Sequence, residues 1–177
     1  MSIENLTLEY ANDDDRLYGL AGMAISAAAL DAIDKVALIS IDSDGPMVTF
    51  SHEYYFCGSP SISPKATWHN LLGNFHLTTA MVISNVLARS LVRLGHDAPQ
   101  EVMDSLHEAV TTEGREACAL EDDEVESIYR RTATGMRRIF ANPRLHPAID
   151  SFARSIARRR TLSGGEIFDE LRALHIL

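Results

Sequence analysis

The stretch from Ser63 to Gly95 constrains this chain more than any other. Ser63 is a helix-capping residue type, and Pro64 suits the first helical position, where its missing N–H costs nothing. No second proline interrupts the run before Gly95 stops it. At 100° per residue, His69, Gly73, His76, Ala80, Ile83, Leu87, Leu91 and Leu94 fall on one face. Leu72, Phe75, Val82 and Val86 widen it, and Asn70, Asn74, Thr78 and Asn85 hold the remaining side. An apolar arc this broad predicts a helix over about 64–94 at the centre of the fold. Ser84, Asn85, Arg89 and Arg93 interrupt its most apolar part, so it falls short of the roughly 18 apolar residues that span a bilayer.

The flanking sequence supplies what must cover that helix. Asp13-Asp14-Asp15 opens an alanine- and glycine-rich run that predicts a helix over about 14–34. Its acidic start complements the helix dipole, and its thinness lets another backbone approach closely. Val36–Asp42 and Met47–Phe56 flank Ser43-Asp44-Gly45-Pro46 and predict an antiparallel hairpin over about 36–56. Pairing Asp42 with Met47 sets Ile41 beside Val48 and Ile39 beside Phe50, with one apolar face. From 97 to 177 the pattern is helical: Asp97-Ala98-Pro99-Gln100 resembles a capping box, and further helices read over 121–141, around Phe152 and around Phe168. The fold class predicted is α+β and predominantly helical, with five or six helices and one hairpin in a single domain over 1–177. An all-α fold with a minor hairpin is the alternative.

The composition narrows function by exclusion. Sixteen Lys and Arg against 25 Asp and Glu give a net charge of −9, which excludes a uniformly basic nucleic-acid coat. Charge is segregated, however. Residues 97–127 contain eleven acids and one arginine, whereas 128–160 contain nine arginines and one aspartate. The basic patch is Arg130, Arg131, Arg137, Arg138, Arg158, Arg159 and Arg160, accompanied by Arg144 and Arg154. The neighbouring acidic block can neutralise it internally or across a dimer, and Glu126 and Arg130 already form an i,i+4 pair. Tyr129, Phe140 and Phe152 fall on buried stripes and are not offered for base stacking.

Candidate sites are few. Residues 50–75 hold Phe50, Tyr54, Tyr55, Phe56, Trp68 and Phe75. A hairpin folded onto the central helix would gather His52, Tyr54, Cys57, Trp68, His69, Gly73 and His76 into one region. The region reads either as a closed core layer or as a small-molecule pocket for general acid–base or metal-assisted hydrolysis. His69 and His76 stand two turns apart, about 10.5 Å, too far to chelate one zinc by themselves. No metal and no cofactor is therefore expected. Ser61, Ser63 and Lys65 at the start of the central helix form a candidate anion site. Ser51-His52-Glu53 fails as a triad because neighbouring strand residues point to opposite faces.

Leu162-Ser163-Gly164-Gly165-Glu166 resembles the signature motif of ABC-transporter ATPases. The phosphate-binding Gly-x-x-x-x-Gly-Lys-Ser/Thr loop of that family is missing from the sequence, and Ser163 with Glu166 reads as a capping box. Cys57 and Cys118 lie far apart in no redox or metal spacing, and read as free thiols in a reducing compartment. Met1–Asn5 has neither the basic nor the apolar part of a secretory signal, so a cytoplasmic location is expected. The sequence thus predicts a cytoplasmic, non-catalytic binding, regulatory or scaffolding protein that self-associates through helices, as a dimer. A small enzyme with the His/aromatic site and an Arg-patch binder of nucleic acid or acidic protein are the alternatives.

Overall fold

The computed structural model describes residues 9–55 and 63–177. Within them the chain forms α1 (Asp13–Ala29), β1 (Val36–Ser40), β2 (Val48–Phe50), α2 (His52–Tyr55), α3 (Pro64–Leu87), α4 (Gln100–Cys118), α5 (Asp122–Phe140), α6 (His146–Arg159), β3 (Thr161–Ser163) and α7 (Gly164–Ala173). A 3₁₀ turn at Ile33–Lys35 leads into β1, and α3 continues as a π-helical segment over Ala88–Leu94. This is a predominantly helical α+β fold with a three-stranded antiparallel sheet.

The long helix is central, as its apolar arc requires. Phe75, Val82 and Val86 pack with Leu106, Val110 and Val125 of α4 and α5. Leu77, Met81 and Ile83 pack with Leu20 and Ile25 of α1, Phe152 and Ile156 of α6, and Ile39 and Leu162 of the sheet. Gly95, at φ +70°, ends it. Burial begins only at Asn74, so His69, Gly73 and His76 lie on the exposed first turns and not on a core face. Asn74, Thr78 and Asn85, expected on the polar side, are buried because each finds a hydrogen bond inside.

The thin helix α1 lies against α3. A Cβ on Gly19 would come within 2.5 Å of the Asn85 side chain, and one on Gly22 within 2.4 Å of the Ser84 carbonyl oxygen. The close approach that small residues permit is therefore used within the chain. α1 ends earlier than predicted. Asp31 takes a left-handed conformation, φ 53°, and the Ala32 amide donates to the Ala27 carbonyl, the hydrogen-bond signature of a Schellman stop.

The sheet has the order β2-β1-β3. Ile39 pairs with Val48, two residues from the predicted Ile41–Val48 register, because the connection is longer than a tight turn. A two-residue slip keeps the same side chains on the same face. β2 stops at Phe50, where the Ser51 amide donates to Lys35 O, and the chain turns into α2; His52 is consequently not a strand residue. β3 went unpredicted because one buried leucine, Leu162, between Thr161 and Ser163 is too short a pattern to read as a strand.

The Ser163–Glu166 capping box is present: the Ser163 amide donates to Glu166 Oε2 at 2.8 Å. Gly164 is dictated by packing, since a Cβ there would lie 2.6 Å from Val36 O. Glu121 and Glu124 cap α5 in the same way. α4 has Pro99 at its N-cap and no side-chain cap, because Asp97 is engaged by Arg137 instead.

Candidate functional site

The segments flanking the hairpin, the 3₁₀ turn before β1 and α2 after β2, meet the central helix at Asn74. Its Nδ2 donates to Tyr54 O at 2.6 Å, and its Oδ1 accepts from Lys35 Nζ at 2.7 Å. Phe50 and Tyr54 stack with centroids 3.9 Å apart, and Tyr54 is buried. His52, His69, Gly73 and His76 are at exposed positions, and Trp68 is 40% exposed. Partial desolvation of the ring against its neighbours, and then the nearby Arg131 charge, push the His76 imidazole below its ordinary pKa and favour the neutral ring. Cys57 and Ser61 lie outside the described residues. Ser63 Oγ accepts from the Ala66 amide as a helix cap, and Lys65, two residues after Ser63, is exposed. Among the described residues no group of three or more His, Cys, Asp or Glu is arranged around a metal position. Cys118 is a buried free thiol, and burial, with Glu113 nearby, raises its pKa, so it stays protonated.

Two charged clusters were not foreseen as such. At the π-helical segment, Arg89 Nη2 lies 2.5 Å from Asp15 Oδ2 and donates to Glu9 O, while Arg93 Nε lies 3.5 Å from Asp15 Oδ1. The Arg89 guanidinium also covers the Tyr10 ring at 4.7 Å, and Asn85 Nδ2 donates to the Tyr10 hydroxyl. Burial alone would raise the Asp15 carboxyl, but the Arg89 hydrogen bond, the Ala11 amide and the arginine charges outweigh it and hold it low. The signal was available: two arginines four residues apart on an otherwise apolar helix need a partner. This cluster ties α1 to α3 and reads as a clasp.

The second cluster joins α4 and α5 into an antiparallel hairpin. Arg137 Nη2 reaches Asp97 at 2.6 Å, the Tyr129 hydroxyl donates to Met103 O, His107 Nε2 lies 2.7 Å from Glu126, and Arg115 lies 3.5 Å from Asp122. Glu126 also accepts from Arg130 at 2.6 Å, the expected i,i+4 pair. The acidic and basic blocks therefore meet across the α4–α5 seam at Asp97 and Arg137, and along α5 at Glu126 and Arg130.

Away from that seam they do not. Arg159 pairs with Glu166 and Glu170 of α7, and Arg160 makes a two-pronged contact with Asp42. Arg158 donates to Ser155 Oγ. Among the described residues, Arg131 and Arg138 stand exposed on α5 without a carboxylate within 4 Å, and Glu101, Asp104 and Glu108 stand exposed on α4 without a cation, Asp104 accepting from Gln100 Nε2 at 2.8 Å. The basic patch is also divided, because α5 packs on α3 and α4 whereas α6 packs on α1 and α7.

No protein-family model matches the sequence, and comparison with curated proteins finds no match. The functional reading rests on the geometry.

Proposed function

We propose that this chain is a cytoplasmic, non-catalytic scaffolding module that works by associating with itself through helices. One observation carries the reading: among the described residues, exposed Glu101, Asp104 and Glu108 of α4 have no cation within 4 Å, and exposed Arg131 and Arg138 of α5 have no carboxylate, so charges of both signs are left on the same two helices. Opposite signs exposed on one molecule favour another copy of it in short-range contact, against the repulsion between two chains of net charge −9. The thin helix α1 is used against α3 and contributes nothing to this reading. The buried free thiol of Cys118 accords with a reducing compartment.

Light scattering across a concentration series at low ionic strength tests the proposal. A mass rising above that of one chain is expected, and a single-chain mass at every concentration overturns it. Tight binding to DNA or RNA by a chain that stays single would favour the arginine-patch reading instead.

A further inference from the structure

The first ten residues of α3 run ahead of the core. Full burial begins at Asn74, so residues 64–73, about 15 Å of helix, keep contact with solvent. At 100° per residue Trp68, Leu71, Leu72 and Phe75 share one face of this stretch. The α4–α5 hairpin closes its inner end. Phe75 lies so near Gly114 that a Cβ there would come within 3.0 Å of its ring, and Leu71 and Leu72 pack half-buried against the cluster of Cys118, Leu120 and Val125. The outer end is open: Trp68, one turn before Leu72 and the only tryptophan of the chain, is 40% exposed. A ring of this size left in water holds back much of the burial energy it could contribute.

The rim of this face is acidic. Residues 113–124, the end of α4 and the start of α5, hold six acids and one arginine. Glu121, Asp122, Asp123 and Glu124 are exposed on the turn directly before Val125. The capping box engages Glu121 and Glu124 through backbone N–H groups, which leaves their charges in place, and Arg115 lies 3.5 Å from Asp122. Lys65 on α3 offsets one further charge, and the next cations of α5, Arg130 and Arg131, come about two turns later, where Arg131 neighbours His76. An apolar strip with an acidic rim is complementary to a segment that is apolar on one side and basic on the other. Since α3, α4 and α5 present no strand edge, an extended segment would leave its backbone unpaired, whereas a helix satisfies its own. We infer that the open face around Trp68 docks an amphipathic helix of another protein, whose apolar side covers Trp68 and Leu72 and whose Lys and Arg residues meet Glu121, Asp122 and Asp123. This surface is separate from the self-association proposed above and does not depend on it.

Trp68 is its own reporter in the full-length chain. The probe is a synthetic helical peptide of leucine and lysine only, with the leucines on one face. On titration Trp68 emission should move to shorter wavelength and become protected from acrylamide. A peptide of the same composition with the leucines scattered should do neither. W68A should bind the patterned peptide at least about tenfold more weakly. D122N with D123N should weaken it about threefold and flatten its salt dependence, whereas D13N with D14N, which removes the same charge at the opposite end of the fold, should leave it unchanged. Circular dichroism checks that each variant keeps its helices, and the emission of the natural chain decides the matter without them. Binding that leaves Trp68 emission unmoved, equal binding of the scattered peptide, or equal loss in the two aspartate pairs overturns the inference. Emission that shifts with the concentration of the chain itself, without peptide, gives the surface to a second copy and overturns it too.

Discussion

Asp15 at the start of α1 and Arg89 in the π-helical segment meet at 2.5 Å, with the carboxylate almost fully buried. Replacing it by asparagine leaves the Arg89 and Arg93 charges partly buried without a counter-charge. D15N should lower unfolding stability by about 3 kcal/mol, at the lower end for breaking a buried pair because the arginines keep some solvent contact. Urea denaturation followed by circular dichroism measures it.

Acid should weaken the fold for a related reason. Arg89 and the Ala11 amide hold the Asp15 carboxyl low against its burial. Arg160 does so for Asp42, Arg130 and His107 for Glu126, and the Ser163 amide and hydroxyl for Glu166. A carboxyl depressed in the folded state contributes stability that is complete above its unfolded pKa and fades as pH falls through the folded one. Thermal midpoints should therefore hold steady near neutrality and fall below about pH 4. The fall should be smaller in D15N, which lacks one of these groups.

Tyr18 gives the opposite sign. Burial, and its 2.7 Å hydrogen bond to Asp150, push its phenol up to about 12. The folded state then holds a proton that the unfolded chain releases near pH 10, so this contribution is lost as pH rises from about 10 towards 12. Tyr18→Phe should cost about 1 kcal/mol at neutral pH. A spectrophotometric phenol titration should lose one of its late-ionising groups.

Gly22 and Gly73 should respond oppositely to alanine. A Cβ at Gly22 would meet the Ser84 backbone at 2.4 Å, and backbone cannot swing aside, so Gly22→Ala should destabilise by about 1–3 kcal/mol. Nothing lies within 4 Å of a Cβ at Gly73, on an exposed helical turn, so Gly73→Ala should stabilise by up to about 1 kcal/mol. Paired denaturation curves decide both.

These contrasts show what the sequence could disclose. Local signals read well: Ser63-Pro64 and Gly95 bracket the long helix, and the Ser163–Glu166 capping box is formed. Each of these depends on residues within one turn of one another. The apolar arc located the core helix but not where along it burial begins, because that depends on how far α1 and α5 extend beside it. Periodicity alone therefore places His69, Gly73 and His76 on the core face, whereas all three are exposed. Asn74 and Asn85 were read as surface residues because their buried hydrogen-bond partners, Tyr54 and Tyr10, are distant in sequence. The charge blocks are visible in the sequence, whereas which of their members pair, as Asp97 and Arg137 do, depends on the register of α4 against α5.

The salt dependence of association tests the central claim most directly. Coulomb attraction between exposed charges of opposite sign is screened as the Debye length shrinks from about 10 Å at 0.1 M salt to about 3 Å at 1 M. Sedimentation equilibrium of the natural chain should give a dimer at low sodium chloride that dissociates towards a single chain as the salt is raised. A dimer that persists unchanged in high salt, or a single chain in low salt, would contradict it.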